Sequence, residues 1–143
     1  MDRTKVLFVC IHNSARSQMA EALVNNLYGD QFQAESAGLE PGRLNPVAVA
    51  AMKDMGIDIS NKLTRDVFDL YKAGRMYTYV ITVCDEASGE RCPLFAGVTK
   101  TLHWSFEDPA SFQGSEEEKL RHTIQVRDQI KAKLQAWVHE LHP

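Results

Sequence analysis

Three thiols are the whole cysteine inventory of this 143-residue chain. A disulfide scaffold of this size would need more of them, and an even number. A small odd set is expected of reduced thiols in a cytosol-like compartment. Long apolar runs are missing as well. The longest, such as Val6 to Ile11, has the length of a single strand, so no membrane-spanning segment is predicted. Met1 to Lys5 precedes too short an apolar stretch for a secretory signal, and a cytoplasmic protein is expected. Basic charge is not in excess: 16 Lys and Arg stand against 19 Asp and Glu, for a formal net charge of -3. That balance disfavours sequence-independent binding to nucleic acid. There is no repeat, low-complexity tract or linker, and residues 1–143 are read as one compact domain. With 44% hydrophobic and 24% charged residues, global disorder is excluded.

What is present is an alternation of strand and helix signals. Lys5 to Cys10 is a continuous Val-, Leu- and Phe-rich run, the pattern of a strand buried on both faces. A polar loop, Ile11 to Arg16, follows it. Met19, Leu23 and Leu27 then recur at four-residue spacing and predict a helix over about 17–28. Phe32 to Ala37 alternates weakly as a second strand. Asn45-Pro46 reads as a cap with proline at the first helical position, opening a helix that stops at Gly56. A further helix is predicted over 64–72, and strands over 79–83 and 98–104. Ser115 with Glu118 forms a capping box, after which Leu120, Ile124, Ile130, Leu134, Trp137 and Leu141 mark one apolar face. Helices between strands predict an α/β fold with a parallel sheet covered by helices.

The chemistry sits where the first strand hands over to the first helix. The segment is Cys10-Ile11-His12-Asn13-Ser14-Ala15-Arg16-Ser17. A Cys-x5-Arg pair alone is a weak signal. Its place between a strand and a helix N-terminus makes it a strong one, because a loop there can aim its backbone N–H groups at one point. Residues 11–17 are therefore the candidate cradle for a tetrahedral oxyanion. Arg16 can clamp two of its oxygens with a planar fork. The helix dipole and Arg16 favour the thiolate of Cys10, which is the nucleophilic form, and Ser17 can donate a hydrogen bond to it. Asn13 tolerates a left-handed backbone and can hold the loop's shape. The plainer alternative is a structural cysteine and a surface arginine, which leaves the agreement of strand, loop, Ser17 and helix unexplained.

The segments Val6 to Cys10 and Arg16-Ser17-Gln18-Met19-Ala20-Glu21-Ala22 resemble the low-molecular-weight protein tyrosine phosphatase superfamily. Within it, His12 to Glu21 looks most like the arsenate reductases built on that fold. The likeness continues through Ser36-Ala37-Gly38, Gly56 to Ser60, Val80 to Cys84 and His103 to Ala110. It implies a four-stranded parallel sheet flanked by helices, with the anion loop after the first strand. It also raises Asp108, whose Asp-Pro step is by itself a common turn, to candidate general acid. Tyrosine-directed members place an aromatic residue after that pair. Ala110 stands there in this chain, which weakens a phosphotyrosine reading.

Cys84 ends a strand, as Cys10 does, and Cys92 lies eight residues on. A buried Cys84, an incidental Cys92 and a zinc site are the alternatives, though no Cys-x-x-Cys pair or matching His spacing supports zinc. The resemblance implies a relay. Cys10 attacks arsenate, Cys84 attacks Cys10, and Cys92 resolves the disulfide, which thioredoxin or another thiol donor then reduces. Arsenate or phosphate is the implied oxyanion, and no flavin, nicotinamide or resident metal is called for. Some arsenate reductases of this fold hold a monovalent cation, such as potassium, behind the anion loop. Asn13, Glu21 and Ser36 match that site, with Asp66 as its fourth ligand. His12 is given no catalytic step, and His103, His122, His139 and His142 read as surface or strand-end residues. A monomer without membrane or nucleic-acid partners is expected. The alternatives are a phosphatase using Cys10, Arg16 and Asp108 through a phosphocysteine, and a non-catalytic phosphate-binding module.

Overall fold

The computed structural model describes residues 3–84 and 100–141. Its elements in chain order are β1 (Thr4–Cys10), α1 (Arg16–Leu27), β2 (Phe32–Gly38), α2 (Pro46–Lys53), α3 (Val67–Lys72), β3 (Tyr79–Thr82), β4 (Lys100–His103) and α4 (Glu116–Leu141). The strands form one parallel sheet in the order β2-β1-β3-β4. β1 is central, which is why its sequence is apolar at every position from Val6 to Cys10. Strand alternation sends Val6, Phe8 and Cys10 into the larger core, with Met19, Leu23, Met52, Ile130 and Leu134 from the helices. Leu7 and Val9 face the other way, into a smaller core with Ala37, Val67, Leu70 and Val80. Trp137 of α4 joins the larger core through ring contacts with Phe32, Tyr79 and Trp104, at centroid distances of 5.3, 5.1 and 5.7 Å. Trp104 and Phe106, which border the acid loop, are both buried core residues. Among the described residues, no helix is long and apolar enough to cross a membrane.

Two elements depart from the sequence expectation. The helix expected over 64–72 begins only at Val67, because the Asp66 carboxylate accepts from Phe68 N at 2.8 Å and caps it there. Thr64 and Arg65 are thereby left extended, and both bond toward the anion loop. The buried face of α4 is also different in its first half. Leu120 and Ile124 are only partly buried, while Thr123, Val126 and Arg127 are fully so. The cause is α2, whose last turn leaves carbonyls without helical partners. Arg127 Nη1 donates to Ala51 O at 2.7 Å and meets Asp54 Oδ2 at 3.0 Å, which rotates the helix to present an arginine inward.

Candidate active site

Cys10 closes β1 and is 2% exposed, and the chain turns through residues 11–15 before α1 opens at Arg16. The turn is shaped from outside. Leu39 N donates to Cys10 O, Glu40 N to Ile11 O, Gly42 N to His12 O and Asn45 N to Ser14 O, at 2.8 to 3.3 Å. A peptide's C=O and N–H point in opposite directions. Holding these carbonyls outward therefore turns the following N–H groups inward, toward the sulfur. Asn13 N shows this directly, donating to Cys10 Sγ at 3.1 Å. α1 adds the N–H groups of its first turn, to which Ala15 at the N-cap offers no side-chain acceptor.

Asn13 is fully buried and has φ +54, the sole positive φ outside glycine among the described residues. Its amide orientation follows from its partners. Arg65 N, which can only donate, bonds Asn13 Oδ1 at 2.9 Å, and Gln18 Nε2 joins it at 3.1 Å. Asn13 Nδ2 must then donate, and it does so to Ser17 Oγ at 2.8 Å. That bond occupies the serine oxygen as an acceptor. Against a Cys10 thiolate, which has no proton to give, the Ser17 O–H is the donor across its 2.9 Å contact with Cys10 Sγ. The sulfur thus receives two donors, Asn13 N–H and Ser17 O–H, the arrangement that suits a thiolate.

Arg16 is 3% exposed and reaches over the loop to the segment after β4. Its Nη1 donates to Phe106 O at 3.1 Å, and its Nη2 lies 3.5 Å from Asp108 Oδ2. Asp108 itself accepts from Ala110 N at 3.0 Å through Oδ1, which fixes the carboxylate beside the cradle's mouth. Cys84 follows β3 and is fully buried. Thr82 is the register partner of Val9, so Cys84 lies one residue beyond the level of Cys10 on the adjacent strand. Strands in a sheet are about 4.8 Å apart, so the backbones of both cysteines lie at one edge of the sheet. Cys92 lies outside the described residues. His12 stands exposed at the rim, its Nδ1 2.9 Å from Glu40 O, and takes no part in the sulfur's hydrogen bonds.

The four candidate cation ligands implied by the resemblance are each engaged with a protein partner. Asn13 Oδ1 already accepts two N–H groups. Ser36 Oγ donates to Glu21 Oε1 at 3.1 Å. Asp66 spends its carboxylate on the cap of α3. Glu21 Oε2 is paired with a positive charge, Lys62 Nζ, at 2.8 Å. This set does not fit a resident monovalent ion, because the charge such an ion would balance is already balanced.

Three contributors were not read from the sequence as parts of the site. Gln18 links Asn13 to Leu63 O, and Arg65 acts through its backbone N–H. Gly38, at the end of β2, is pressed against the loop: a Cβ there would lie 2.7 Å from Ile11 O and 2.8 Å from Asn13 N. A glycine closing a strand is itself a signal of close backbone approach. Arg65 carried no such signal because Asn13 lies 52 residues away, and Gln18, though near Asn13, has its other partner, Leu63 O, 45 residues away.

The chain resembles known proteins both in sequence and in fold. An arsenate reductase of Bacillus subtilis (strain 168) is 43% identical over 134 residues, 94% of each chain. A solved arsenate reductase in the phosphate-binding state matches with a TM-score of 0.75 at 30% identity, covering 96% of this chain and 98% of that one. A thioredoxin-dependent arsenate reductase of Corynebacterium glutamicum matches with a TM-score of 0.61 at 25% identity, over 94% of this chain and 63% of that one. The low molecular weight phosphotyrosine protein phosphatase family matches residues 5–143, and it is to this family that the chain belongs.

Proposed function

We propose that this protein reduces arsenate to arsenite, with Cys10 as nucleophile and Cys84 and Cys92 as the thiols that carry the electrons. The observation that supports it most is Cys84, a second buried cysteine just past the end of the strand next to β1, at the same sheet edge as Cys10, which phosphate-ester hydrolysis does not need. The arsenate reductases among its relatives support the same substrate. Arsenate binds in the cradle of residues 11–17, its oxygens on backbone N–H groups and the Arg16 fork. The Cys10 thiolate forms an S–As bond, and one oxygen departs as water after Asp108 gives it a proton. The Cys84 thiolate then attacks Cys10 Sγ. The S–As bond breaks with its electron pair going to arsenic, so As(V) becomes As(III) while the two sulfurs are oxidised to a disulfide. Cys92 attacks Cys84, releases the Cys10 thiolate and leaves a Cys84–Cys92 disulfide. A dithiol donor, thioredoxin in our reading, returns two electrons by thiol–disulfide exchange. The thioredoxin-dependent relative supports that donor. The route requires reduced thiols at the start of every turnover, which fits the cytoplasm. One chain carries every residue it needs, which fits a monomer. No step runs through a bound cation.

The test is arsenate-dependent oxidation of reduced thioredoxin by the pure protein. Turnover is expected in wild type and is expected to be lost in both Cys84→Ser and Cys92→Ser. Retention in both would overturn the relay. The second reading, phosphomonoester hydrolysis, rests on the same Cys10, Arg16 and Asp108, whose Arg16–Asp108 contact brings an acid to the cradle. It predicts that the Cys84→Ser variant hydrolyses an aryl phosphate as fast as wild type while failing to reduce arsenate.

A further inference from the structure

The Glu21 carboxylate is 4% exposed in the middle of α1, behind the anion loop. A buried carboxylate without a counter-charge is costly, and so close to a cradle built for anions it would also repel the ligand. Its Oε1 is satisfied by Ser36 of β2. Its Oε2 accepts no aligned hydrogen bond and meets one charge, Lys62 Nζ, as an ion pair at 2.8 Å. Lys62 begins the extended stretch that grips the loop from outside. Leu63 O accepts from Gln18 Nε2 at 3.1 Å, Thr64 Oγ1 donates to Gly42 O at 2.7 Å, and Arg65 N donates to Asn13 Oδ1 at 2.9 Å. Arg65 O then receives Gly38 N at 2.8 Å. The ion pair is therefore the first of a row of ties. It joins α1 and, through Ser36, β2 to the strip that holds Asn13 with its positive φ. Asn13 in turn orients Ser17 toward the sulfur.

We propose that Lys62 is the built-in counter-cation of Glu21 and a positioning residue of the anion loop, so that the cradle works without a monovalent metal ion. This rests on residues 11–17 being an anion cradle, and its test separates the two ideas. Inorganic phosphate is the probe, with the full chain titrated by calorimetry and melted in sodium or potassium salt at equal ionic strength. Wild type is expected to show the same phosphate affinity and the same Tm in both salts. Lys62→Met is expected to bind phosphate about tenfold more weakly in sodium and to melt lower. Potassium or ammonium is expected to restore part of both losses by entering beside Glu21, and Lys62→Arg is expected to restore both without added cation. A potassium requirement in wild type, or unchanged affinity and Tm in Lys62→Met, would overturn the proposal. If Lys62→Met does not fold, the double variant Glu21→Gln/Lys62→Met, which removes both charges, is expected to fold and to melt alike in both salts. A double variant that also fails to fold would overturn the counter-cation argument. Wild type that binds no phosphate would overturn the cradle reading and the positioning role with it, while the melting comparison still decides the counter-cation role.

Discussion

At the scale of single residues, the site works by fixing donors around one sulfur. Ser17 is the clearest case, because Asn13 Nδ2 donates to its oxygen and a Cys10 thiolate can only accept its proton. A hydrogen bond to a charged group is worth about 1.5–3 kcal/mol, or roughly ten- to a hundredfold in rate where the charge is what reacts. Ser17→Ala is therefore expected to slow alkylation of Cys10 by iodoacetamide at neutral pH by about that factor. The fold should be unaffected, as a far-ultraviolet spectrum would show. Equal alkylation rates would mean that Asn13 N–H alone holds the sulfur's charge. Ser17 could be nominated from the sequence because it lies seven residues from Cys10, across one loop. Gln18 could not, since its bond to Leu63 O spans 45 residues.

At the scale of elements, the cradle depends on neighbours that come close without touching the substrate. The end of β2 is pressed against the loop, and Gly38 is the residue that permits it. Gly38→Ala must push Ile11 and His12 inward or β2 outward, at a cost of about 1–3 kcal/mol for an overpacked backbone contact. A lower Tm together with weaker phosphate binding is the expected result. A loss of stability with phosphate affinity intact would show that β2 and the loop move together. The helices were legible where capping chemistry is local: Asn45 accepts from Val47 N at 2.9 Å ahead of Pro46, as read. The start of α3 was not, because Thr64 and Arg65 have side chains a helix would accept. What pulls them straight is the pairing of Arg65 with Asn13 and Gly38, residues at the other side of the sheet edge.

At the scale of the whole molecule, the sheet's second face is held by charge as much as by apolar packing. Among the described residues α3 is the helix that packs on it, and beside that helix Glu35 of β2 gathers Tyr77, Arg65 and Arg75. Burial alone would raise the Glu35 carboxyl. The hydrogen bonds from Tyr77 and Arg75 and the two arginine charges outweigh it and hold the group below its ordinary value of 4.5. Burial, with Glu35 beside it, pushes the Tyr77 hydroxyl upward. A lowered carboxyl contributes stability that is present above the unfolded value and is lost as pH falls through the folded one. The Tm advantage of wild type over Glu35→Gln is thus expected to be full above about pH 5 and to shrink as pH drops below it. A pH-independent difference would show that the hydrogen bonds, and not the charge, carry the effect. Both arginines are about half exposed, so added salt should reduce the same advantage. By itself the sequence determined what local chemistry determines. The unbroken apolar run of β1 required a strand buried on both faces, and Cys10, Asn13, Arg16 and Ser17 lay close enough in sequence to be read as one loop. Only the tertiary structure decided which side chains balance buried charge and shape that loop from behind. The Lys62–Glu21 pair, the Arg65 amide on Asn13 and the Arg127 anchor on Ala51 each join residues more than 40 positions apart. Such pairings depend on where the sheet places its neighbours, and no spacing rule along the chain encodes that.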